Sequence, residues 1–188
     1  MKAVTGMFET RAQAEDAVRA LEDAGIASAN VSLIAPKSEN DSSGTAEGTG
    51  VGAALGGAGG LLAGLGAFAI PGIGPVVGAG WLVTTLIGAA AGGLAGGLVG
   101  SLTEAGVEER DAHVYGESLR RGGVLVTARV DEEELDAAAA ILGQSGSVDV
   151  NERRAEYERT GWSIFDEADP RSYRRDDEPD VMVPPLPR

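Results

Sequence analysis

From position 48 to position 102 the chain carries no charged residue, and glycine returns at every fourth position through most of that run. The glycines are Gly48, Gly52, Gly56, Gly60 and Gly64, then Gly80, Gly88, Gly92, Gly96 and Gly100, with Thr84 in the one gap of the second series. Residues four apart share one face of an α-helix, and a face without side chains lets two backbones approach closely. The spacing therefore predicts helix packing through these glycines.

Glycine-rich linkers are polar, whereas this run carries Leu61, Leu65, Phe68, Ile70, Val76, Val77, Trp81, Leu86 and Leu98. Pro71, Gly72, Gly74 and Pro75 interrupt it and would stop a helix and turn the chain. The expectation is a helical hairpin over residues 50–103, with helices at about 50–70 and 76–102. Twenty helical residues span about 30 Å, the thickness of a hydrocarbon core, so the hairpin reads as membrane-inserted and self-associating. That reading places the protein at the cell membrane, with its remaining residues cytoplasmic, because positions 1–8 show no secretory signal. Alanine and glycine are weakly hydrophobic, which leaves open a second reading in which several chains pool their hairpins in a soluble oligomer.

The flanks read as two halves of one small α+β domain. Residues 2–8 suit a strand, Thr10 an N-cap, and Ala14, Ala17, Val18 and Leu21 a buried helical stripe ending at Gly25. Val31, Leu33 and Ile34 mark a second strand before Pro36, so residues 1–37 are β-α-β. A polar linker occupies 38–49. Residues 104–151 read α-β-α-β: a helix near 106–121, the valine-rich strand 124–130, a helix capped by Asp131, and an edge strand with Val148 and Val150. Joined, the halves predict a ferredoxin-like split β-α-β sandwich interrupted by the hairpin.

The runs PGIGPVVGAG (71–80), GVEERDAHVYGESLRRGGVLVTARVD (106–131) and GSVDVNE (146–152) resemble bacterial general stress proteins of the heat-induced type. The resemblance covers about residues 1–152. It implies a ferredoxin-like domain with a glycine-zipper hairpin, a stress-response role and no assigned catalytic activity.

The residues themselves offer little for catalysis. Without cysteine there is no thiol nucleophile and no thiolate metal site. His113, the single histidine, lies among Glu109, Asp111 and Glu117 and reads as a helix-surface ion pair rather than a metal ligand. The acids 131–134 suit the field of a helix N-terminus. No cofactor or metal site is expected. A formal charge of −14 without a basic patch argues against nucleic acid.

Residues 152–188 form a charged tail in which Trp162, Ile164 and Phe165 are candidates to pack on the domain. Its end, Val181, Met182, Val183, Pro184, Pro185 and Leu186, is a candidate docking peptide for a larger assembly. The expected partners are further copies of the chain, lipid and such an assembly. The functional expectation is a non-enzymatic, membrane-associated stress protein that self-associates, with an accessory subunit or a small ligand-sensing domain as alternatives.

Overall fold

The chain alternates strands and helices around one antiparallel sheet, seen in a computed structural model that describes residues 1–37, 66–92 and 97–166. The strands are β1 (Lys2–Phe8), β2 (Val31–Pro36), β3 (Gly66–Ile70), β4 (Gly74–Gly80) and β5 (Val124–Val130). They lie in the order β1-β5-β2-β4-β3, every neighbouring pair antiparallel. The helices are α1 (Arg11–Asp23), α2 (Trp81–Gly92), α3 (Gly97–Glu104), α4 (Glu109–Arg120), α5 (Leu135–Gln144) and α6 (Val150–Arg159).

Period-two alternation in the strands gives the sheet two apolar faces. Val31, Leu33 and Ala35 of β2 and Val124, Val126, Ala128 and Val130 of β5 point to one side, where α1 and α5 cover them with Ala14, Ala17, Val18, Leu21, Ala138 and Leu142. Met7, Ile34, Val76 and Leu125 point to the other, beneath Leu82 and Leu86 of α2, Leu98 and Leu102 of α3, and Val114 and Leu119 of α4. The result is three layers. Local signals agree: Thr10 Oγ1 accepts from Gln13 N–H at 3.3 Å, Gly25 adopts φ +97°, and the Glu134 carboxylate accepts from Asp131 N–H at 3.3 Å.

The inserted segment departs from the predicted helical hairpin. Positions 66–70 and 74–80 are strands, and the helices that follow have twelve and eight residues. At 1.5 Å per residue these span about 18 Å and 12 Å, well short of the ~30 Å a membrane crossing needs. No helix among the described residues is long and apolar enough to cross a membrane, which overturns the membrane-inserted hairpin and the cell-membrane location built on it. Positions 50–65, most of the first expected helix, lie outside the described residues.

The physical reason lies in the backbone. Gly66, Gly72, Gly74, Gly78, Gly80, Pro71 and Pro75 crowd positions 66–80. Each glycine costs a helix interior about 1 kcal/mol and each proline about 3. The β2 edge meanwhile accepts a partner, and Ser32 to Pro36 pair with Gly80 to Val76. The break at Pro71 is therefore a turn between strands. Ile73 N–H donates to Ile70 C=O at 3.1 Å, with Pro71 second and Gly72 third at φ +75°, the signature of a type II turn. Gly74 and Pro75 open β4.

The expected last strand is also shorter. Val148 N–H donates to Met7 C=O at 2.8 Å in a single bridge, and Val150 already begins α6, capped by the Asp149 carboxylate at 2.8 Å and 3.0 Å from the Asn151 and Glu152 amides.

Candidate functional site

The glycines of the predicted packing face separate into three groups. Gly48, Gly52, Gly56, Gly60, Gly64 and Gly96 lie outside the described residues, as do Val181, Met182, Val183, Pro184, Pro185 and Leu186 of the candidate docking end. Gly80 is not on a helix: it ends β4 at φ +97°, and a Cβ there would fall 2.1 Å from Val31 O. Gly88 of α2 and Gly100 of α3 are helical, and among the described residues nothing beyond the helix's own backbone comes within 4 Å of a Cβ built on either; Gly92 closes α2. Within one chain, close approach is made at Gly78, Gly80, Gly116 and Gly123 instead.

The two edges of the sheet differ in kind. Along β1, every second residue turns its backbone outward, and the chain itself meets each one. Ala3 N–H donates to Ala105 C=O at 2.9 Å, Tyr115 O–H donates to Thr5 C=O at 3.1 Å, and Met7 C=O accepts from Val148. The strand is also flanked by charge: Lys2 donates to Glu132 at 2.7 Å, which holds that carboxyl below its ordinary value. At the opposite edge, β3 pairs with β4 on one side and no described strand lies on the other. Its sequence, GAFAI, has neither charge nor proline, and Ala67 and Ala69 are exposed. Nearby α2 turns Thr84, Ile87 and Gly88 outward, with Ile87 51% exposed. Neither β3 nor α2 carries a charged residue, on a chain of formal charge −14.

A polar groove of about 270 Å³ opens where the end of β1 meets α4 and α6. Its centre is Tyr157, with the guanidinium of Arg121 4.3 Å from the ring centroid and that of Arg153 at 5.9 Å. Arg153 is bound to Glu9 at 2.8 Å and Glu156 at 3.1 Å, and Arg121 Nε donates to Glu117 at 2.5 Å. Glu117 is fully buried and also pairs with Arg120. Burial raises the Tyr157 hydroxyl above its ordinary value, against the lowering effect of its hydrogen bond with Ser118. Each guanidinium here is neutralised, so the groove is hydrogen-bonding but uncharged overall. The spacing of Glu117 to Arg120 and Arg121, three and four residues on, is the sequence signal that could have found the cluster. Nothing in the local sequence announces Arg153 or Tyr157 as its other half.

Residues after α6 fold back over α4. Trp162 meets Tyr157 edge to face at 5.8 Å, Phe165 is buried, and His113 Nδ1 lies 3.2 Å from Phe165 C=O. Two of the three expected tail contacts form, while Ile164 is 58% exposed. His113 thus bonds a backbone carbonyl rather than the expected carboxylate, and no cluster of metal-ligating side chains occurs among the described residues.

Comparison with known proteins finds no matching family model, no matching curated protein and no matching solved structure.

Proposed function

We propose that this chain is a non-enzymatic module that self-associates through the uncharged residues 48–102, inserted between β2 and α4. The observation that carries the reading is the contrast between edges: β1 is met by other parts of the chain and flanked by charge, while β3 and the outward face of α2 carry no charge and have no partner strand or covering segment among the described residues. On a chain of formal charge −14, that side is where two copies approach with least repulsion. A binding role also suits the ionisable groups, since the carboxylates of the groove are engaged with arginines and His113 with a carbonyl.

The frame around the insertion is, in this reading, ferredoxin-like. What supports it is that β1, α1, β2, β5, α5 and the bridge at Val148 give the pairing order Val148-β1-β5-β2, with α1 and α5 together on one face. The inserted helices cover the other face, which such a frame alone leaves open. A stress-response role rests on the resemblance of residues 71–80, 106–131 and 146–152.

Sedimentation equilibrium of the full chain tests self-association. The expected mass exceeds the 19.0 kDa of one chain and rises with salt, because screening weakens repulsion between acidic copies. A mass of 19.0 kDa at every concentration and ionic strength would sink the proposal.

The groove favours a second reading, a domain that senses a small anion. A carboxylate or phosphate would replace Glu9 and Glu156, both well exposed, on Arg153. Titration with citrate and with inorganic phosphate should then shift the Tyr157 ring resonances, and silence from both would exclude it.

A further inference from the structure

We propose that two copies of the chain join through β3, antiparallel and two-fold symmetric about Phe68, so that their sheets become continuous. This rests on the self-association reading and names its contact. An edge strand offers a row of backbone donors and acceptors, and proteins block such edges with charge, proline or a covering segment. At β1 the block is visible: Ala105, Tyr115 and Val148 each take one outward backbone group, Ala3 N–H, Thr5 C=O and Met7 C=O, and Lys2 adds charge. Gly66–Ile70 has none of these devices among the described residues.

The occupant follows from the strand's own sequence. Rotated about Phe68, GAFAI meets itself with Gly66 opposite Ile70, Ala67 opposite Ala69, and Phe68 opposite its own copy. An isologous contact requires this kind of self-complementarity. The small exposed alanines face one another without clash, the Phe68 ring is seated over Gly78 of its own β4, and no like charges oppose. A contact of five residues is short, so the assembly is concentration-dependent.

Charge exchange at the alanines tests the register. Ala67→Lys/Ala69→Lys sets two pairs of lysines face to face across the two-fold axis. Ala67→Lys/Ala69→Glu sets each lysine opposite a glutamate while adding the same number of charged side chains at the same exposed positions. Full-length wild type should sediment as a dimer. The lysine pair should raise its dissociation constant by about tenfold or more, and the lysine–glutamate pair should restore it to near the wild-type value. Circular dichroism of both variants checks that the fold is kept, and the lysine–glutamate variant controls for the burden of charge on the strand.

Each other outcome overturns something definite. A wild type that stays monomeric, its edge covered by residues 38–65 or left open, removes the self-association reading and this contact together. A dimer indifferent to both variants removes only the β3 contact. Dissociation by the lysine pair without recovery by the lysine–glutamate pair overturns the two-fold register, as a foreign strand or a differently aligned copy would.

Discussion

The ring of Phe165 fills the space a side chain on Gly116 would need: a Cβ built there falls 2.8 Å from Phe165 Cδ1 and 3.0 Å from Cγ. The glycine lies inside α4, where alanine would favour the helix by about 1 kcal/mol. The buried ring is worth about 2 kcal/mol to the fold. Gly116→Ala should therefore destabilise the wild type by about 1 kcal/mol, because losing the ring's seat outweighs the helix gain. In a Phe165→Ala background the same change should stabilise by about 1 kcal/mol. Urea denaturation of the four proteins measures this reversal of sign. Equal effects in both backgrounds would mean that Phe165 does not depend on Gly116.

Two glycines eight positions apart should respond in opposite directions. Gly80 combines φ +97° with Val31 O 2.1 Å from its would-be Cβ, and backbone cannot step aside as a flexible side chain can. Gly80→Ala should cost more than about 3 kcal/mol and expose the β2–β4 amides to hydrogen exchange. Gly88 is helical and a Cβ there meets nothing within 4 Å among the described residues, so Gly88→Ala should stabilise the monomer by about 1 kcal/mol. If Gly88→Ala instead weakens assembly, that helix face is itself an interface.

This contrast shows where the sequence could be read and where it could not. Val31, Leu33 and Ile34, the VLVTARV strand and the stripe Ala14, Ala17, Val18 and Leu21 lie where period and caps place them, since local pattern and tertiary packing ask for the same structure. The four-residue glycine spacing misled at Gly80 because spacing alone says nothing of backbone conformation: Gly80 is needed for positive φ at the end of β4, not for a bare helical face, whereas Gly72 and Gly74 lie at the turn where Pro71 and Pro75 predict one. Val76 and Val77 were the countersignal, β-branched residues beside a β2 edge that needed a partner. The contacts of Ala105 and Tyr115 with β1 were beyond reach, because they join residues roughly a hundred positions apart, whereas Val148 lies in the edge strand the pattern predicts.

Glu117 ties the last turn of α4 to the residues that pack over it. Its carboxylate is fully buried and bound by Arg120 and Arg121, whose guanidinium groups lie 5.7 Å from the Phe165 ring centroid and 4.3 Å from that of Tyr157. Removing one partner of a buried pair typically costs 3–5 kcal/mol, but both arginines reach solvent, at 20% and 40% exposure, and can be rehydrated. Glu117→Ala should thus cost about 2–3 kcal/mol, and Glu117→Gln, which keeps the shape and one acceptor, about half as much. Near-ultraviolet circular dichroism should report a loosened Trp162 in the alanine variant before global unfolding. An unchanged aromatic signal would separate the ion pairs from the tail contact.

Alkaline stability should be governed by the tyrosines. Burial raises Tyr115 well above its ordinary value, with Asp111 and Asp149 adding to the effect and Arg154 opposing it, and burial raises Tyr157 as well. Above about pH 10 the unfolded chain loses its phenolic protons while the folded chain keeps them. The unfolded state then binds fewer protons, so stability, fully present below that pH, falls as pH rises toward the folded values. The chain has three tyrosines and only two lysines, so few other groups blur the window. At neutral pH, Tyr115→Phe should cost about 1 kcal/mol through the lost bond to Thr5 C=O. The deficit should shrink above pH 10 and vanish near pH 11, since about 1.4 kcal/mol is lost per phenol per pH unit in that window. Urea midpoints of wild type and variant from pH 7 to 11 make the comparison. Parallel curves would show that Tyr115 ionises in the fold as readily as in the open chain, and that the seal it makes on β1 is not held by burial.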